Sequence, residues 1–215
     1  MTIPNSRRVG AVLCAALLTA CGAPTETADP PGAAAASSAP ASRPSTPKPS
    51  VSPSPRPSVR PTRVPVPPGM KVVTATDRHS RMAIPVTWSR MELSDSAVVE
   101  VGTDRYAEYV IVMSEDKRQF TEDIGEYAED WVEAIAGEAR RVRKSKPRRV
   151  TIGGMPGLQY DMQGDVEGGR VGWVLTSIDG AAHYHNIVVT TTASRVQANS
   201  RRLRAIVATF RETGR

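Results

Sequence analysis

Two histidines, His183 and His185, stand two apart in a stretch that reads as a strand, so their side chains share one face. A pair so placed supplies two ligands of a metal ion, which needs a third and a fourth. No further ligand stands nearby in the sequence, and the same spacing suits a strand face turned to water or to a partner. His79, between Arg78 and Arg81, reads as a solvated loop residue. No Gly-x-Ser-x-Gly elbow, His-Glu-x-x-His helix or phosphate-cradling loop is present. Gly153, Gly154 and Gly157 can be read as a backbone anion nest, but with Pro156 among them they read more simply as a turn between strands. Glu126, Glu129, Asp130 and Glu133 form a row on one helix face. A glycosidase instead sets two acids across a cleft. These residues predict a chain that is not an enzyme and carries no cofactor.

The most biased segment is Arg140, Arg141, Val142, Arg143, Lys144, Ser145, Lys146, Pro147, Arg148 and Arg149, which holds seven basic residues and no acid. Read as an exposed loop, it attracts anionic partners through a nonspecific, salt-sensitive force. No aromatic residues interleave to stack bases, which argues against nucleic acid. Charge balance against the acidic helix just before it is the competing reading. Trp88, Trp131 and Trp173 can line a pocket for a lipid or glycan. Trp131 lies on an apolar helical stripe and Trp173 alternates with Val171 and Leu175, so core packing is favoured for both.

The elements that position these residues follow from periodicity. Strands are expected at residues 71–76, 82–85, 98–101 and 106–114. A helix is expected over 121–137, where Phe120, Ile124, Tyr127, Trp131 and Ile135 fall on one stripe and Thr121 can cap the start. Four more strands are expected at 149–152, 156–162, 170–178 and 182–191. Asp179-Gly180 suits a tight hairpin, and Glu167-Gly168-Gly169 can close the one before it. A second helix is expected over 194–212, with Val196, Leu203, Ile206, Val207 and Phe210 on its apolar face. The sum is an α+β class, a mainly antiparallel sheet flanked by two long helices.

The N-terminus carries an address. Arg7 and Arg8 precede an uncharged apolar run from Val9 to Ala20, too short for the roughly 20 residues of a membrane-spanning helix. The run ends in Leu18-Thr19-Ala20-Cys21-Gly22, which resembles the lipobox of bacterial lipoproteins. That resemblance implies cleavage between Ala20 and Cys21 and attachment of diacylglycerol to Cys21, hence localisation on the outer face of the cell membrane. An ordinary secretory signal is the alternative, and Ser6-Arg7-Arg8 leaves both the general and the twin-arginine export routes open. The other cysteine, Cys14, lies in the signal, so the folded part has no disulfide. From Gly22 to Pro68 the chain holds 14 of its 18 prolines and reads as a disordered tether. The expected organisation is a signal at 1–20, a tether at 21–69 and one globular domain at 70–215. Of the 28 basic and 22 acidic residues, 7 and 2 precede Met70, which leaves 21 and 20 and a nearly neutral domain.

Three short motifs carry a further resemblance: residues 84–88 (Ile-Pro-Val-Thr-Trp), 150–157 (Val-Thr-Ile-Gly-Gly-Met-Pro-Gly) and 203–210 (Leu-Arg-Ala-Ile-Val-Ala-Thr-Phe). They resemble the PsbP-like α/β/α sandwich of actinobacterial lipoproteins such as the LpqN and LpqT group, with Thr209 where serine is common. The resemblance implies a noncatalytic binding or accessory module. The expected partner is an envelope protein or an anionic wall or lipid component, met through Arg140, Arg141, Arg143, Lys144, Lys146, Arg148 and Arg149. A carrier of an envelope lipid in a cavity between sheet and helices is the second reading, and an envelope hydrolase the third.

Overall fold

The computed structural model describes residues 66–103 and 107–213. The expected export signal, Cys21 and the proline-rich stretch through residue 65 lie outside the described residues. In chain order the elements are β1 (Met70–Thr74), β2 (Ser80–Pro85), β3 (Ser89–Arg90), β4 (Val99–Gly102), β5 (Glu108–Asp116), α1 (Ile124–Gly137), β6 (Arg140–Lys144), β7 (Arg148–Ile152), β8 (Met155–Val166), β9 (Gly169–Asp179), β10 (His183–Thr192), α2 (Val196–Ala208) and β11 (Arg211–Glu212). All described strand pairs are antiparallel. The large sheet runs β3-β4-β5-β10-β9-β8-β6, with β7 also on β8, and a small sheet runs β1-β2-β11.

Strand alternation divides the core in two. Ile187 and Val189 of β10 join Val174, Ile178, Val110 and Val112 under α2 and the small sheet, where Leu203, Ile206, Val207 and Trp88 are buried. Tyr184 and Val188 face the other way, with Trp173, Leu175 and Met162, against Tyr127, Trp131 and Ile135 of α1. Both faces of the sheet are covered, so all three indoles are core residues. Thr209 ties the layers together: its hydroxyl accepts from the Ala83 amide at 2.9 Å and donates to the Ile206 carbonyl at 2.6 Å. Gly172 lets α2 approach, since a Cβ there would lie 1.9 Å from Cγ2 of Val196.

Several expectations need correction. The helices have 14 and 13 residues and are shorter than the sequence suggested. Asp123, not Thr121, caps α1 by accepting from the amides of Gly125 and Glu126, which leaves Phe120 outside the helix. The α2 helix ends at Ala208 because the chain turns back as β11 to pair with β2. The tight turn with two positive φ values is not at Asp179-Gly180 but at Gly153-Gly154, which joins β7 to β8 with φ of 63° and 87°. Gly180 instead pairs across to His183, and Ala181-Ala182 make the turn there. The acidic row on α1 is not wholly solvated, because Glu129 accepts a hydrogen bond from the Tyr160 hydroxyl at 2.8 Å.

Candidate functional site

The basic run is not a loop. It forms β6 and β7, both laid against β8 at the margin of the large sheet, with residues 145–147 between them. Pro147 lacks an N–H, and Arg141 at φ 50° marks an irregularity where the register shifts between Arg140 and Arg143, so the edge is broken into two short strands. Val142 anchors β6 by packing into the α1-side core, and Val150 anchors β7 on the α2 side.

All seven cations are exposed, but they are not equivalent. Arg141 pairs with Asp165, Lys144 reaches Glu129 at 3.5 Å, and Arg148 donates to Gln159. The side chains of Arg140, Arg143, Lys146 and Arg149 make no hydrogen bond or ion pair among the described residues. Among the described residues, balance against the acidic helix is seen at Lys144; Asp165 and Gln159 belong to β8.

A second feature lies where this edge meets α2. Alternation along β8 puts Gln159, Asp161 and Gln163 on the α2 side. Gln159 is buried, and its amide nitrogen donates to the buried Thr176 hydroxyl at 2.8 Å, which turns its carbonyl outward. That one neutral oxygen accepts from both Arg148 and Arg204, the latter from Nε at 3.2 Å. Arg204 also chelates Asp161 through 2.6 and 2.5 Å contacts. Two guanidinium groups thus meet at one amide oxygen beside a single carboxylate. Arg204, Gln159 and Asp161 were not singled out from the sequence. The available signal was the closing helix itself, which carries Arg201, Arg202 and Arg204 and no acid from Val196 to Ala208.

The histidines gather elsewhere, at the opposite end of β10 from its Thr192 terminus. His183 and His185 do share a face, but not one turned to water: His185 has 0 % exposure. Its Nδ1 is 2.8 Å from the Ser114 hydroxyl, and its Nε2 is 3.4 Å from Oε1 of Glu212 in β11. Nδ1 of His183 lies 3.8 Å from the same oxygen. His79 is not a free loop residue, for its ring stacks on His183 at 4.6 Å between centroids. Gly180 makes room for this contact, since a Cβ there would sit 2.9 Å from both His185 Nε2 and Glu212 Oε1. Burial acts to raise the Glu212 carboxyl, but the His185 hydrogen bond and the amides of Ala181 and Ala182 outweigh it and hold the group at about 2. Nearby Asp116 is held down at about 2 by the Arg118 guanidinium.

Ser114, His185 and Glu212 have the membership of a hydrolase triad, but a working histidine must exchange a proton with substrate. With no exposed surface, His185 serves instead to join β5, β10 and β11. Among the described residues no three His, Cys, Asp or Glu side chains are set to hold a metal ion. A groove of about 630 Å³ lies near the other margin of the large sheet, lined by Thr76, Arg90, Met91, Glu92, Ala97, Val98 and Glu100. It is bordered by charged side chains and is not a cavity between sheet and helices.

Among solved structures, the chain is similar to the cyanobacterial PsbP protein CyanoP of Synechocystis sp. PCC 6803, with a TM-score of 0.52 at 9 % identity, over 67 % of this chain and 92 % of that one. The fold is PsbP-like. Two further structures match with a TM-score of 0.49: LpqN of Mycobacterium tuberculosis, described as involved in cell envelope biogenesis, at 11 % identity over 67 % of this chain and 90 % of that one, and the Ran-binding protein Mog1p of Saccharomyces cerevisiae, at 12 % identity over 67 % and 95 %. No family model and no curated protein matches the chain in sequence.

Proposed function

We propose that this protein is a noncatalytic binding module of the bacterial cell envelope, anchored by a lipid on Cys21 and presenting its basic sheet edge to an anionic component outside the membrane. The observation that carries this reading is that the side chains of Arg140, Arg143, Lys146 and Arg149 are exposed, with no hydrogen-bond or ion-pair partner among the described residues, along one edge of a domain that is nearly neutral only as a whole. A local excess of fixed positive charge raises the local concentration of anions and speeds their capture. The lipobox supplies the location, and the proline-rich segment supplies reach, on the order of 145 Å if fully extended as polyproline.

Crosslinking in intact cells, followed by identification of what is captured, tests the proposal. The expected result is capture of an anionic envelope component that is reduced when Arg140, Arg143, Lys146 and Arg149 are replaced by glutamine and weakened by salt. Capture unaffected by those substitutions refutes the role of the edge. An apolar lipid copurifying with the domain, or turnover of a wall substrate, replaces the proposal with the carrier or the hydrolase reading.

A further inference from the structure

Resting on that reading, we infer that the specific element of the basic edge is a phosphate-binding seam between β7, β8 and α2, built on Arg148 and Arg204 and organised by Gln159. The linear run of cations accounts for general attraction. The seam accounts for recognition of a particular group.

Three features of the seam point to phosphate. Gln159 cannot turn away, because its amide nitrogen is committed to the buried Thr176 hydroxyl, so its oxygen stays aimed at both arginines. Arg148 and Arg204 each use only part of their five N–H donors on it and on Asp161, and the remaining donors of two adjacent planar forks suit the several oxygens of a tetrahedral anion. The local charge is also unbalanced: two guanidinium groups face one carboxylate, Asp161, and Arg143 shares their side of the sheet, since it pairs with Gln163 and so stands four residues along β8 from Arg148. At the strand rise this places Arg143 about 13 Å away. A second phosphate on the same chain can meet it there.

The seam also decides between sources of phosphate. The Arg204 side chain is only 28 % exposed, set between helix and strand. A flat bilayer reaches Arg140, Lys146 and Arg149 on the rim but does not enter the seam. A flexible chain of phosphodiesters enters it. The ligand class is therefore a polymer with phosphodiester linkages, not a lipid surface.

The test uses the full lipid-bearing chain anchored in phosphatidylcholine vesicles, so that its lipid is already buried when a second membrane is offered. Three probes are titrated at low and high salt: a soluble glycerol phosphate oligomer, polyglutamate of matched charge, and phosphatidylglycerol vesicles. The oligomer is expected to bind more tightly than polyglutamate, and R148Q/R204Q to weaken it by about tenfold or more, as expected for the loss of charge-assisted hydrogen bonds. R140Q/R149Q changes the charge equally and is expected to weaken the oligomer by no more than about threefold, mainly at low salt. R148K/R204K keeps the charge but not the fork, and is expected to lose most of the preference for phosphate over carboxylate. Thermal melting of each variant separates loss of the site from loss of the fold. If R148Q/R204Q melts and binds as the parent does while R140Q/R149Q loses binding, the seam is wrong and the basic edge stands. If vesicles bind as well as the oligomer and respond only to R140Q/R149Q, the seam is likewise overturned. If none of the three probes binds, the anionic-partner reading fails together with it.

Discussion

Replacing Glu212 by glutamine probes the histidine end, because the substitution keeps the shape and removes the charge. Glu212 accepts from the Ala181 amide at 2.8 Å and sits 3.4 Å from His185 and 3.8 Å from His183, with His79 stacked behind and Asp116 opposite His183 in the strand register. Its carboxyl lies at about 2 in the folded chain against an ordinary value of 4.5. The folded value is the lower one, so the stabilisation is present above about pH 4.5 and is lost as the pH falls through about 2. The whole displacement corresponds to at most about 3 kcal/mol, and solvent screening at a partly open site reduces that to ~1–2 kcal/mol. Urea unfolding should therefore show E212Q to be less stable than the parent by ~1–2 kcal/mol at pH 7, with the gap falling to less than about half by pH 3. Equal gaps at pH 7 and pH 3 would refute the assignment, because a purely steric effect of the amide does not titrate.

Other substitutions test other joints. T209A should destabilise the fold by ~1–3 kcal/mol by leaving the buried Ala83 amide without an acceptor, whereas T209S should stay near the parent, both read from denaturant midpoints. G172A should lower the melting temperature markedly, since its methyl group has no room beside Val196 unless α2 shifts. C21S should shift the protein from the membrane to the soluble or precursor fraction on cell fractionation, and no lipid-modified N-terminal peptide should be recovered by mass spectrometry.

The parts of the fold legible in the sequence were those set by local chemistry. The stripe of Ile124, Tyr127, Trp131 and Ile135 gave α1, and the β-branched runs gave β5, β9 and β10 to within a few residues. Within the basic segment the sequence anticipates β7, as the strand at 149–152, whereas β6 reads as loop because its side chains give no apolar alternation. The segment's pairing with β8 is a long-range contact held by two valines. The two-residue strands β3 and β11 carry no pattern of their own and exist because β4 and β2 offer them partners. The histidines were placed correctly relative to each other and wrongly relative to solvent, since Phe210 and Glu212, which pack against His185, stand far along the chain from it. For the same reason Arg148 and Arg204 could not be joined from sequence: they meet only through Gln159, on a third element.

The broken, cationic margin formed by β6 and β7 has a consequence for how neighbouring copies behave. A bare strand edge is a template on which another chain can add. Here the shift at Arg141, the missing N–H of Pro147 and the row of like charges all oppose such pairing. The cations proposed to hold an anionic partner would also keep two copies from zipping together. Variants that neutralise this edge are therefore expected to lose solubility along with any anionic partner, and glutamate replacements, which restore repulsion with the opposite sign, separate the two proposed roles.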